Sequence, residues 1–133
     1  MRDIGMIIIH CSATPIGRAV TVGEIDKWHR ERGFACIGYH YVIGLDGKVE
    51  KGRDENQIGA HCEGFNSNSI GICYVGGTDT KGKPMDTRTP EQIVSLHRLV
   101  KDLKVKYPKV TIHGHNEFTK KACPCFDVRK EFK

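Results

Sequence analysis

The sequence predicts an α/β fold, a single domain in which a mixed central β-sheet is flanked by helices. Three observations predict it. Apolar runs at 4–10, 39–43, 69–75 and 110–113 alternate with segments whose apolar residues recur at helical spacing. A Leu45-Asp46-Gly47 turn joins two short extended segments and adds an antiparallel hairpin to the parallel alternation. A chain of 133 residues has room for one hydrophobic core only.

The elements follow in order. Ile4 to His10 is a nearly continuous apolar run ending in a polar residue, the pattern of a strand buried on both faces. His10 falls at its C-terminal end, where sites gather in open α/β sheets. Thr14 to Gly17 reads as a loop. Val22, Ile25, Trp28 and His29 then recur at helical spacing behind Thr21 and Glu24, an N-cap and the third residue of a capping box, and Gly33 ends the helix. Tyr39 to Ile43 is a strand leading into the hairpin. Ser69 to Val75 is another, followed by a long loop from Gly76 to Arg88. Thr89-Pro90-Glu91-Gln92 opens a second helix with proline at its first turn and an apolar stripe of Ile93, Leu96, Val100 and Leu103. That helix stops near Tyr107-Pro108. Val110 to His113 is the last strand, with Gly114-His115 just beyond it.

Composition narrows the function classes. Lys and Arg number 21 against 16 Asp and Glu, a net charge of +5 that suits a polyanionic partner without requiring one. No basic run interleaved with aromatics marks a nucleic-acid face, so no nucleic-acid partner is expected. The apolar run at Met6–Ile9 is too short for a signal-peptide core or a membrane span. The protein is therefore expected to be made in the cytoplasm without a signal peptide and not to insert into membranes. Six cysteines in such a setting are expected to be free thiols. Cys36 and Cys73 read as buried small hydrophobes, and Cys11 and Cys62 as core-facing.

The chemistry concentrates in a few residues. Of seven histidines, His29 and His97 read as surface or interface positions on helices, His40 as a core histidine, and His113 as part of a strand. His10 and His115 stand apart because both lie at strand ends, where loops build sites. Cys123, in the polar segment Lys121-Ala122-Cys123-Pro124-Cys125-Phe126-Asp127, adds a soft thiolate. Two imidazoles and one thiolate make a three-ligand Zn²⁺ set that leaves a fourth position open, the arrangement of a catalytic zinc. Lys121, two residues before Cys123, is then placed for catalysis. Cys125 could supply a fourth ligand, which would close the site.

Several segments resemble one known family. Ile7-Ile8-Ile9-His10-Cys11-Ser12-Ala13-Thr14, Trp28-His29-Arg30, Gly38-Tyr39-His40, Gly59-Ala60-His61, Gly71 to Gly77, Gly114-His115 and Lys121-Ala122-Cys123-Pro124 occur in this order. They are similar to the zinc amidases of the phage T7 lysozyme type, within the wider N-acetylmuramoyl-L-alanine amidase and peptidoglycan-recognition protein family. The resemblance runs from about Ile4 to Val128 and implies one zinc amidase domain over residues 1–133. It implies zinc ligands His10, His115 and Cys123, a catalytic Tyr39 and a catalytic Lys121, with His61 as a substrate or outer contact. The implied reaction is hydrolysis of the amide between N-acetylmuramic acid and L-alanine in peptidoglycan or a muropeptide, by a monomer acting on the bacterial cell wall. A phage or prophage endolysin is the leading expectation. A muropeptide-recycling amidase and a non-catalytic recognition module are the alternatives, and Cys123 speaks against the last. One departure stands out: the family commonly has glycine where this chain has Cys125, which suggests a backbone position of positive φ.

Overall fold

The computed structural model describes residues 2–132. Its elements are β1 (Met6–Cys11), β2 (Thr14–Pro15), α1 (Val22–Glu31), β3 (Tyr41–Ile43), β4 (Val49–Lys51), β5 (Ser69–Tyr74), β6 (Gly77–Thr78), α2 (Pro90–Lys106), β7 (Thr111–Gly114) and α3 (Val128–Glu131). The main sheet runs β4-β3-β5-β1-β7, and only β4 is antiparallel to its neighbour. The expected α/β fold with a mixed central sheet is the fold observed.

Register sorts the side chains. One row aligns Ile9, Ile72 and Tyr41, and the next aligns His10, Cys73 and Val42. Because successive strand residues point to opposite faces, the first row lies on one side of the sheet and the second on the other. On the first side Ile7, Ile9, Ile70, Ile72 and Tyr74 pack beneath Leu96, Val100 and Leu103 of α2. On the second, Val42, Cys73 and Val75 pack with Ile25 of α1. On this face His10 is buried beneath the rings of Tyr39, His61 and His115 rather than by a helix.

The helix caps follow the sequence unevenly. At α2 the Thr89 hydroxyl accepts from Gln92 N–H while the Gln92 side chain accepts from Thr89 N–H, a complete capping box. Gln92 is fully buried because its side-chain amide also donates to the carbonyls of Ile43 and Val75. At α1 only half the box forms: Thr21 accepts from Glu24 N–H, but Glu24 Oε2 is buried without a hydrogen-bond partner.

Several expectations need correction. Thr14–Pro15 and Gly77–Thr78, read as loops, pair as a small parallel sheet of their own, which neither periodicity nor length could announce. The ladder of β3 begins at Tyr41, although His40 N–H still donates to the Gly71 carbonyl. α3, capped by Asp127, was too short to show a period. Cys36 lies in the irregular turn after α1 and is only half-buried, whereas Cys11, Cys62 and Cys73 are buried as expected. All six thiols are free. Among the described residues no helix is long and apolar enough to cross a membrane.

Candidate active site

His10 is the fifth of six residues in β1, and the pleat turns it away from the α2 core toward the opposite face. His115 follows β7 directly and opens a short 3₁₀ turn, held where Gly114 N–H donates to Glu117 Oε2 at 2.7 Å. Cys123 arrives from the loop after that turn. Its sulfur accepts a hydrogen bond from Cys11 N–H at 3.1 Å, so the end of β1 itself orients it. Donor atoms of His10, His115 and Cys123 lie within 4.8 Å of one another and could hold a metal ion. The imidazoles of His10 and His115 have centroids 4.4 Å apart.

Electrostatics keep these donors available. Burial, with His61 and His115 nearby, holds the His10 pKa well below its usual range. Burial and then the Lys121 charge lower that of His115. Both imidazoles are therefore neutral at neutral pH, the form that binds metals. A set of two neutral imidazoles and one thiol sulfur fits zinc in donor type, and three donors leave one coordination position for chemistry. Cys125 is not among the donors that converge within 4.8 Å of one another. Burial pushes its thiol up to about 11, and its S–H donates to the Gly77 carbonyl at 3.2 Å. Its φ of 70° is the left-handed conformation that the departure from glycine suggested.

Beside the three donors lies a cleft of about 590 Å³ lined by Tyr39, His61, His115, Lys121, His29 and Arg32, among others. The Tyr39 ring lies 5.1 Å from His10. Burial raises its phenol pKa well above 10, so the group stays an O–H donor. Lys121 is exposed at the cleft wall. His61 lies 2.9 Å from His10, Nδ1 to Nε2, which makes it a partner of a metal-competent residue.

The structure thus brings together Tyr39, His61, His115 and Lys121 around the cleft and His10, Cys123 beside it. His40 is a core histidine as expected: its Nδ1 accepts from Gly71 N–H. His97 and His113 instead meet Glu131 and Glu117 on the surface. His29 corrects the reading of a surface or interface residue. It is buried, lines the cleft, and its Nδ1 accepts from Gly38 N–H at 2.8 Å. The signal was present, since His29 stands four residues after Ile25 on the same helical stripe.

Comparison with known proteins gives the family. The sequence profile described as N-acetylmuramoyl-L-alanine amidase matches residues 1–126. The chain belongs to this family. Within the amidase family it is similar to the endolysin of Escherichia phage T7, with 48% identity over 124 residues that cover 93% of this chain and 82% of the phage protein. Among solved structures, the amidase LysC from Clostridium intestinale superposes with a TM-score of 0.83 at 30% identity, covering 98% of this chain and 82% of LysC. The Drosophila recognition protein PGRP-LB, as a point mutant in complex with tracheal cytotoxin, gives a TM-score of 0.82 at 26% identity over 98% of this chain and 80% of that one. The resemblance to T7 lysozyme-type amidases therefore holds over nearly the whole chain.

Proposed function

We propose that residues 1–133 are one zinc-dependent amidase domain that cleaves the N-acetylmuramoyl-L-alanine bond of peptidoglycan, in the manner of a phage endolysin. The observation that carries this reading is the convergence of His10, His115 and Cys123 at the edge of a cleft in an amidase-family fold. The 48% identity to a phage endolysin favours wall lysis over recycling. Retention of the cysteine donor favours an enzyme over a recognition module. All of these groups come from one chain, so a monomer suffices.

His10, His115 and Cys123 would hold the ion. Bound zinc supplies a water made acidic enough to act as a nucleophile near pH 7 and a Lewis acid for the scissile carbonyl. The chain's own residues do the rest. Tyr39, kept protonated by burial, presents an O–H donor toward the carbonyl oxygen as it gains charge. Lys121 brings a cationic side chain to the same cleft. A fixed donor or cation aimed at developing charge contributes roughly 10²- to 10³-fold in rate.

The test combines zinc quantification with stem-peptide release from purified peptidoglycan. Tyr39→Phe and Lys121→Ala should keep the zinc of the parent and lose ~10²- to 10³-fold in rate. Full turnover by protein stripped of divalent metal would sink the mechanism, and unchanged rates in both variants would remove their assigned roles.

A further inference from the structure

His61 occupies a slot built for its ring. A Cβ on Gly71 would lie 2.6 Å from the His61 ring, and one on Gly59 would lie 2.7 Å from its Cδ2. Only glycine at both positions leaves room for the imidazole. The backbone N–H groups of His61 and Cys62 both donate to Asn66 Oδ1 at 2.9 Å, which fixes where the ring emerges.

The ring nitrogens have one partner each. Nδ1 faces His10 Nε2 at 2.9 Å, and Nε2 faces Ser69 Oγ at 3.2 Å. Ser69 Oγ is also 2.7 Å from the Phe65 carbonyl, which can only accept. A serine has one hydroxyl proton, and the shorter contact to an obligate acceptor takes it. Ser69 Oγ must then accept from His61 Nε2–H. A neutral imidazole carries a single N–H, so His61 Nδ1 is left as an acceptor. His10 Nε2 must therefore be the donor of the pair, and its free lone pair sits on Nδ1.

We propose that Phe65 C=O, Ser69 and His61 form a hydrogen-bond relay that sets the tautomer of His10, so that His10 meets the metal through Nδ1. His61 is on this view a positioning residue: it acts through His10. The inference rests on the reading of His10 as a metal donor. It also explains why a histidine needs two glycines beneath it: the acceptor must stand at a fixed point beside His10, and a bulkier floor would lift it away. Outer partners that orient a ligating imidazole are worth about 10- to 100-fold in metal affinity.

Long-range ¹H–¹⁵N correlation of the imidazole nitrogens in the full chain, metal-free and zinc-loaded, tests the assignment without any substitution. The expected result is His61 as the Nε2–H tautomer in both states, with zinc on His10 Nδ1. Finding His61 as Nδ1–H, or His10 bound through Nε2, overturns the relay. Chelator competition for zinc supplies a second readout. His61→Leu, which fills the slot without an acceptor, should weaken zinc binding ~10- to 100-fold. His61→Asn, whose Oδ1 can stand in for Nδ1, should recover most of that loss. Parent-like affinity in the leucine variant also overturns the relay. A parent chain that takes up no zinc overturns the metal reading instead, while the metal-free tautomers still judge the relay.

Discussion

On the α2 side of the sheet, Ile7, Ile9 and Cys11 of β1 join Ile70, Ile72 and Tyr74 of β5 in a closed apolar layer. On the α1 side, the alternate positions of β1 include Ile8 and His10, and those of β5 include Gly71, which carries no side chain at all. One pair of strands thus presents a filled face and a face with a gap. The gap admits the His61 ring, and the cleft opens beside it. Stability and chemistry are divided here by the two-residue period of a strand, not by separate regions of sequence.

Paired substitutions can break this division. Cys123→Ala should abolish zinc binding and reduce stem-peptide release on the order of 10³-fold or more, while the melting of metal-free protein moves by less than about 1 kcal/mol. Leu96→Ala, on the opposite face, should do the reverse. It should cost about 2–5 kcal/mol of stability and leave activity per folded molecule within about twofold well below the melting temperature. Equal stability losses in the two variants, measured by denaturant unfolding of the stripped proteins, would show that the faces are not independent.

A smaller effect is expected where Glu55 accepts hydrogen bonds from Tyr41, Tyr107 and Lys106. Burial alone would raise its carboxyl pKa, but these donors outweigh it and hold the value down to about 2, against 4.5 unpaired. A folded-state value below the unfolded one means that the stabilisation is full above about pH 4.5 and is lost as pH falls toward 2. Glu55→Gln should therefore cost about 1.5–3 kcal/mol at pH 7, and the gap to the parent should narrow as the pH is lowered toward 2. Unfolding midpoints at pH 7 and pH 3 check the sign.

The smallest effect is expected at Cys125. Replacing it by glycine relieves a left-handed φ of 70° but removes the S–H contact to Gly77. The net change should stay within about 1 kcal/mol of stability. Zinc stoichiometry should not change; loss of zinc in Cys125→Gly would return this residue to the ligand set.

What could be read from the sequence follows the same division. The filled face was legible because burial writes a pattern into the chain, a continuous apolar run at Ile7 to Ile9 and a helical stripe from Leu96 to Leu103. The donors His10, His115 and Cys123 stood out by chemistry and by position at element ends, and the family resemblance joined them. The face that carries the cleft was harder to read. Gly71 looks like a weak strand residue until His61 is seen above it, and Ser69 looks like a strand start until its hydroxyl is found between a carbonyl and an imidazole. Such contacts join residues that no local pattern connects. The β2–β6 pair escaped notice because two residues on each side are too few to carry a signal.

The hydroxyl of Tyr74, at the end of β5 and fully buried, donates to the Pro124 carbonyl at 2.6 Å. The loop that carries Cys123 is thereby fastened to a central strand of the sheet. Segments held by exposed contacts fray on their own as a protein is warmed, whereas one tied to a buried strand opens with that strand. Heat inactivation should then coincide with global melting, with no intermediate temperature range in which an intact sheet carries a disassembled catalytic loop.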